Sequence, residues 1–259
     1  MKVTVQRYYL SFEEEIFLTE FKDIYAKDIH AQLIQQMRSG VYANCTQLPR
    51  ESELSKALGI SRTQLRDILA VLECEGFITR RHGVGTLINR HVLKLPVRID
   101  MEQEFMDMIY AGGYTPSVLF AKAADSPATA EEAAQLGIEP GAMLIRSQKL
   151  CAANKRPAIY CEDMFAASLL RQPVTDQNFR PPIFQLLQEN CRLNCYMDVS
   201  RLIPTVAQGE IAEILQLEPG TPLMYIEEVD YDVDGNPILF SRQYFVNDYF
   251  RHNIIRKRL

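Results

Sequence analysis

The side chains whose type and spacing best suit chemistry lie in one short stretch, SRTQLR at 61–66. Arg62 and Arg66 are four positions apart, so a helix would place both on one face, with its apolar stripe on the other. The first turns of such a helix can enter the major groove of DNA, where arginine donates two hydrogen bonds to guanine O6 and N7. The stretch therefore predicts a helix that reads DNA, and the alternative is a solvated basic helix.

A second basic group follows in the stretch RRHGVG at 80–85. The β-prone runs on either side predict a hairpin that carries these residues at its tip. Arg80, Arg81 and His82 would reach phosphates or the minor groove, and Gly83 and Gly85 would let the backbone approach closely. An ordinary surface hairpin is the alternative.

The C-terminal part offers polar residues for a small ligand rather than for catalysis. Candidate effector contacts are the polar residues expected on inward strand faces, namely Arg146, Lys149, Glu162, Arg242 and Tyr244. Each of them could equally be surface or edge-strand decoration. Only His91 and His252 lie beyond the basic segment, and the six cysteines form no CxxC pair. We therefore expect no catalytic set, no metal site and no cofactor.

The elements that would position the basic residues are three helices and the hairpin. Apolar residues recur at helical spacing from Ile24 to Met37, 51–58 reads as a short second helix, and Gly59 ends it. Ser61 is a suitable N-cap for a third helix that stops before Gly76. Two helices joined by a tight turn and followed by a hairpin form a winged helix-turn-helix.

An internal duplication organises the rest of the chain. The stretch LGIEPG at 136–141 recurs as LQLEPG at 215–220, an offset of 79 positions. Each copy follows a short helix and precedes a strand, a polar turn and a second strand, and 183–188 supplies a linking helix. This repetition predicts an α+β domain with a pseudo-symmetric antiparallel sheet, and a cleft between the copies is a candidate ligand site.

Length and composition agree with two folded units. The 259 residues are 47% hydrophobic and 24% charged, which is typical of globular proteins and excludes fibrous or disordered classes. From 22 to 90 the chain has ten basic and seven acidic residues, a net charge of +3, so the remainder carries −8 of the total −5. Without a signal segment or membrane span, we expect a cytoplasmic protein with reduced cysteines.

These residues resemble the GntR family of bacterial transcription regulators. The family motifs LPSERELA, SRTTVREAL and LEAEGL stand here as LPRESELS at 48–55, SRTQLRDIL at 61–69 and LECEGF at 72–77, before the HGVGT wing at 82–86. Residues 98–256 resemble the UTRA effector domain of the HutC-type branch, which has a chorismate-lyase-like fold, through LGIEPG and DGNPILFSRQY. The resemblance implies a winged helix-turn-helix at 21–90, a linker at 91–97 and a UTRA-like domain at 98–259, with 1–20 as an unassigned extension.

The resemblance also implies a function and a set of contacts. It implies a homodimer that binds a palindromic operator as a metabolite-responsive regulator, most simply a repressor; the alternatives are a lyase-like enzyme and a DNA binder without an effector. The implied DNA contacts are Arg50, Ser52, Arg62, Thr63, Gln64, Arg66, Arg81, His82, Gly83 and Gly85. Ser52 stands where the family has arginine, and the RxR pair of relatives that bind phosphorylated sugars is replaced in SQKLC at 147–151. The family's strand glutamate falls on Cys161 or, with a slip of one residue, on Glu162.

Overall fold

The structure, a computed structural model, describes residues 28–101 and 103–257 and divides the chain into two compact units. The first unit comprises the chain up to Leu95 together with the tail from Ile255, and the second is Pro96–Ile254. The expected extension at 1–20 and the start of the first helix at Ile24 lie outside the described residues.

Three helices form the core of the first unit. They are α1 (28–38), α2 (Glu51–Leu58) and α3 (Arg62–Cys74). Gly59 ends α2 in the left-handed conformation at φ 69°, which an L side chain rarely adopts, and the chain turns at once into α3. The apolar stripe of α3 is fully buried against α1 and α2, and the core includes Leu33, Met37, Leu54, Leu65, Leu69 and Leu72.

A two-stranded hairpin and two tethers complete this unit. Strands β1 (Ile78–Arg81) and β2 (Gly85–Ile88) pair antiparallel, and a short helix α4 (Arg90–Leu93) follows. The Arg90 guanidinium donates to the backbone carbonyls of Tyr42 and Cys45, so it fixes the loop after α1. The Lys257 ammonium donates to the Cys74 carbonyl at 2.9 Å, a favourable place for a cation because carbonyls at a helix C-terminus carry partial negative charge.

The second unit is built on one antiparallel sheet of six strands in the order β3-β4-β5-β8-β7-β6. The strands are β3 (Pro116–Pro127), β4 (Met143–Ala153), β5 (Arg156–Ala166), β6 (Met197–Val206), β7 (Pro222–Tyr231) and β8 (Pro237–Val246). The two copies meet where β5 pairs with β8, so the duplication produces a pseudo-symmetric sheet. The helices of this unit are α5 (Phe105–Ala111), α6 (Ala130–Leu136), α7 (Ile183–Leu186) and α8 (Gly209–Leu215).

Each face of this sheet has two apolar clusters with polar residues between them. On the first face, Val97 and α5 cover one end, and α7 with its continuation covers the other. On the second face, α6 and α8 cover the two ends. Strand side chains alternate between the faces, so consecutive polar residues in the middle of a strand belong to different faces.

Several elements differ from the sequence-based expectations. The predicted linker at 91–97 contains most of α4. Val92, Leu93 and Val97 are buried, so this segment is packed and is not an exposed linker. The tail from Ile255 groups with the first unit, whereas the sequence placed it in the C-terminal domain. The edge strands β3 and β6 were not predicted, because β3 is rich in alanine and β6 contains Pro204, which is tolerated at a sheet edge.

Candidate functional site

The N-terminus of α3 is a rigid and exposed polar surface. Ser61 and Gln64 form a reciprocal capping box, in which the Ser61 hydroxyl accepts from the Gln64 amide at 3.2 Å and the Gln64 side chain accepts from the Ser61 amide at 3.1 Å. Arg62, Thr63 and Arg66 are exposed while Leu65 is fully buried. The cap and the core therefore hold this polar surface toward solvent. Gln64 also has a structural role, because its amide oxygen serves the cap.

The two arginines of α3 differ in their surroundings. The Arg66 guanidinium donates to Glu51 Oε2 at 2.8 Å, and 63% of its side chain is exposed. An exposed ion pair of this kind contributes about 0–1 kcal/mol, so it opens at little cost when a better partner arrives. On α2 and its N-cap, Arg50 is exposed and Ser52 is half-buried. The structure thus brings Arg50, Ser52, Arg62, Thr63, Gln64 and Arg66 onto the helix-turn-helix, as a contact surface requires.

The hairpin tip is the second exposed part of the first unit. Arg81, His82, Gly83 and Gly85 are all exposed, and both glycines have positive φ, at 77° and 115°. Arg80 is instead bound to α3, since its backbone amide and its Nε each donate to the Glu73 carboxylate at 2.7 Å. Arg80 therefore fixes β1 to α3, and Arg81 and His82 are the basic side chains at the hairpin tip.

A cavity of about 340 Å³ opens on the first face of the sheet in the second unit. It lies between the two apolar clusters of that face, and its floor is formed by polar residues of the inner strands. The floor residues are Lys149 from β4, Asp163 from β5, Ser241 and Gln243 from β8, Glu228 from β7, and Asp198 and Ser200 from β6. Its walls are formed by residues 98–101 and 103–105, by residues 182–184 and by His252.

Hydrogen bonds on the cavity floor converge on carboxylates. Asp163 Oδ1 accepts from the Ser241 hydroxyl at 2.8 Å and from the Cys161 thiol at 3.0 Å. Glu228 accepts from the Ser200 hydroxyl at 2.7 Å and from the Gln243 amide at 3.2 Å. The floor is therefore a connected row of acceptors whose polar neighbours already donate to it.

Burial changes the proton affinity of two acids in this row. Desolvation and the nearby Asp198 and Asp163 carboxyls raise the pKa of Glu228 to about 7, although hydrogen bonds from Ser200 and Gln243 oppose the rise. Desolvation and Glu228 raise the pKa of Asp230, two residues along β7, to about 8. Because like charges crowd in a poorly solvated part of the sheet, Asp230 is largely neutral at pH 7 and Glu228 is about half ionised.

Replacing Asp230 with asparagine is expected to stabilise the protein more at high pH than at low pH. The folded-state pKa of about 8 lies above the ordinary 3.8, so the folded state holds a proton that the unfolded chain releases, and stability falls as pH rises through this window. Asp230→Asn removes this loss and should gain on the order of 1–3 kcal/mol near pH 8.5, about 2–4 °C in Tm for each kcal/mol. Thermal unfolding near pH 5 and pH 8.5 measures the difference. The exposed Asp234→Asn is the control, and an equal gain for Asp230→Asn at both pH values would contradict the prediction.

The sequence-predicted effector residues are divided between the two faces of the sheet. Lys149 lies in the cavity floor, whereas Arg146, Glu162, Arg242 and Tyr244 lie on the opposite face. There, Arg146 pairs with Glu132 of α6 at 3.0 Å and Arg242 with the same carboxylate at 3.4 Å, and Glu162 accepts from the Tyr160 hydroxyl at 2.9 Å. The two arginines therefore join α6 to the sheet, and none of these four side chains lines the cavity.

The polar residues of the cavity floor lie one position along the strand from residues predicted from the sequence. Asp163 follows the predicted Glu162, and Ser241 and Gln243 flank the predicted Arg242. The two-residue alternation of strand side chains could have identified Asp163, because it places Asp163 on the same face of β5 as the apolar Ile159, Cys161 and Phe165. Of the two positions considered for the family's strand glutamate, Cys161 lies on the cavity face and Glu162 on the other.

Comparison with known families gives one match for each of the two units. The family described as bacterial regulatory proteins, gntR family, matches residues 25–88, and the UTRA domain matches residues 111–251, more than half of the chain. The chain belongs to the GntR family and carries a UTRA domain. This GntR-family regulator is therefore a DNA-binding transcription regulator with an effector-binding domain. Its predicted fold class, a winged helix-turn-helix followed by an α+β domain with a duplicated antiparallel sheet, is confirmed.

Relatives of this regulator cover most of its length. It is 24% identical to the transcriptional repressor NagR of Bacillus subtilis, over 85% of this chain and 89% of that protein. It is 26% identical to the histidine utilization repressor of Pseudomonas putida, over 78% of this chain and 80% of that protein. Among solved structures, the possible transcriptional regulator YydK of Bacillus subtilis has a TM-score of 0.71 at 20% identity, covering 88% of this chain and 99% of that chain. The structural likeness shows the shared fold.

Two further findings concern the described part of the chain. Within residues 28–101 and 103–257, no helix has the length and apolar character that crossing a membrane requires. The same residues contain no cluster of histidine, cysteine and carboxylate side chains arranged to hold a metal ion.

Proposed function

We propose that this regulator is a repressor that binds its operator through α3 and the hairpin and that leaves it when a small molecule enters the cavity. The observation that carries the proposal is the capped, exposed N-terminus of α3, where Arg62 and Arg66 stand on one face above a buried leucine stripe. The repressors NagR and the histidine utilization repressor support the sign of the response by similarity. The proposed DNA contacts are the ten residues named from the sequence.

The chain segments that leave the second unit give the effector a physical route to the first. Arg98 and Ile99, just after the boundary at Leu95, line the cavity, and so does His252, just before the tail from Ile255. The two segments are bound together, because the Ile99 amide donates to the Asn253 carbonyl at 2.9 Å. A ligand that prefers one arrangement of these segments shifts the population of DNA-binding arrangements, whereas one that binds all of them equally shifts nothing.

The cavity acts as a binding site and not as a catalytic one. Its serine hydroxyls donate to the Glu228 and Asp163 carboxyl groups and not to a histidine that could activate them. The one histidine in its wall is His252, whose pKa is lowered by burial. The lyase-like alternative predicts turnover. An effector recovered chemically unchanged after prolonged incubation with the protein is the expected result.

A second copy of the chain is proposed to cover strand β6, giving a homodimer that matches a palindromic operator. In the described sheet β6 is an edge, so its outer backbone groups lack a strand partner, and it exposes apolar side chains. Val199 is 58% exposed there.

We expect Val199→Lys to convert most of the dimer to monomer at micromolar concentration, as measured by sedimentation velocity. Val233→Lys, at a 74% exposed turn residue, should leave the mass unchanged. Equal masses for both variants would exclude β6 from the interface.

Operator binding tests the proposed function directly. Fluorescence anisotropy would follow the protein with DNA taken from upstream of its own gene, first at low salt and then across a salt series. A tight complex that a small metabolite dissolves is the expected result. The absence of any specific complex at low salt would overturn the proposal, and a complex that no member of a metabolite panel alters would favour a DNA binder without an effector.

A further inference from the structure

The cavity lining has more acids than bases. It contains five carboxyl groups, those of Asp100, Glu104, Asp163, Asp198 and Glu228, and two permanent cations, Arg98 and Lys149. Lys149 stands at the position equivalent to Glu228 under the 79-residue duplication, so the two copies present opposite charges to one cavity. The overall balance is negative, which favours ligands of positive charge.

Both cations of the lining are already engaged by neighbouring acceptors. Lys149 is 6% exposed, and its ammonium donates one of its three N–H groups to the Pro181 carbonyl at 2.5 Å. Arg98 donates to both carboxylate oxygens of Asp100, at 3.1 and 2.6 Å. A phosphate would have to compete for these groups, and the arginine pair of the relatives that bind phosphorylated sugars is absent from 147–151.

The neutral donors of the floor are also directed at carboxylates. The Ser241 hydroxyl donates to Asp163, and the Ser200 hydroxyl and the Gln243 amide donate to Glu228. One proton of each of these groups is therefore used within the floor, and the carboxylate oxygens, each of which has two lone pairs, can accept further hydrogen bonds from a ligand. A donor-rich ligand satisfies these oxygens, whereas an anion places more negative charge beside them.

An unpartnered oxygen extends the same row of acids. Asp230 is 1% exposed and lies on the same strand face as Glu228, two residues further along β7. Its Oδ1 accepts from the Cys195 thiol at 3.2 Å, but its Oδ2 is buried without a hydrogen-bond partner among the described residues. Asp230 does not itself line the cavity, but it adds a further acid to the row of carboxyl groups behind the cavity floor.

We infer that the cavity binds a small organic cation, a protonated amine or a guanidinium compound, rather than a phosphorylated one. This inference rests on the proposed function, because it names the class of effector for the same cavity. Asp163 and Glu228 accept the N–H groups of the cation, and the row of carboxyls holds its charge. Phe105 and Phe245, whose rings meet edge to face at 5.9 Å in the wall, contact its carbon atoms. The volume of about 340 Å³ suits a compound near the lower limit of ordinary ligand pockets.

Fragment binding to the full-length protein tests the charge class without knowledge of the natural effector. The probes are methylguanidine and butylamine, with methyl phosphate and butyrate as anions of similar size, and saturation-transfer NMR measures their binding. We expect at least one of the two cations to bind saturably with a Kd of about 10 mM or lower and the anions not to bind. Asp163→Asn and Glu228→Gln should each weaken cation binding about tenfold, because each removes a carboxyl group that a neighbouring bound cation holds in its ionised form. Glu213→Gln, the same change on the exposed side of α8, should leave it unaltered.

Three results would overturn the inference: binding of methyl phosphate in preference to the cations, no binding of either cation at about 10 mM, or cation binding that neither Asp163→Asn nor Glu228→Gln weakens. Circular dichroism confirms that each variant is folded. Operator anisotropy on the same samples separates the two proposals. A protein that binds no operator refutes the proposed function whatever the fragments do, while one that binds operator and takes up methyl phosphate refutes only the cationic class.

Discussion

Replacing both Arg62 and Arg66 with alanine is expected to lower operator affinity by roughly 100-fold or more. Each arginine that reads a guanine contributes about 1–3 kcal/mol, and both stand on the exposed face of α3. The loss of the Arg66–Glu51 ion pair adds little to the effect, because that pair is exposed and its contribution to stability is small. The capping box and the leucine stripe do not involve either side chain, so the helix remains folded.

The measurement is fluorescence anisotropy of the double variant and of each single variant over a range of salt concentrations. A base contact appears as a loss of preference for the operator over unrelated DNA, whereas a phosphate contact appears as a shallower dependence on salt. Arg156→Ala, which removes one exposed arginine from the second unit, is the control and should retain full affinity. Affinity of the double variant within twofold of the unmodified protein would remove both arginines from the interface.

Phe165→Ala is expected to destabilise the second unit by about 3–5 kcal/mol. Phe165 is fully buried on β5, at the end of the cavity face where α7 and its continuation cover the sheet. Its ring packs in one cluster with Phe179, Leu186 and Leu239, so truncation leaves a cavity that four rigid elements cannot fill. The loss is then larger than the transfer of the removed atoms alone would give.

Urea unfolding followed by fluorescence and circular dichroism measures this change. Val233→Ala, at a turn residue that is 74% exposed, should alter stability by about 0.5 kcal/mol or less. A loss of under 1 kcal/mol for Phe165→Ala would show that the site collapses onto the missing ring and that the α7 end of the sheet is loosely packed.

The DNA-binding unit was predictable because its signals are local. The serine cap at Ser61, the left-handed Gly59 and the leucines at helical spacing each act within one or two turns of chain. The glycines of the hairpin tip fix the turn between β1 and β2 in the same way. Such features depend on neighbouring residues only, so one sequence was sufficient to place α2, α3 and the hairpin.

The tail contact on α3 was not predictable from the sequence. Nothing near Lys257 indicates that its ammonium reaches the Cys74 carbonyl, which is 183 positions away. The same holds for α4 and for the edge strands β3 and β6, whose local sequence is ambiguous and whose conformation depends on what they pack against.

For the second unit, the sequence by itself determined the duplication, the alternation of strands and helices, and the presence of polar groups in the middle of the sheet. Only the tertiary structure decided which of those polar groups face the cavity. Asp163 and Glu162 are neighbours in the chain, yet one lies on the cavity floor and the other faces the α6 and α8 side. The physical reason is the two-residue period of a strand: a shift of one position exchanges the faces, and here both faces carry polar residues between apolar ends, so hydrophobicity alone does not fix the phase.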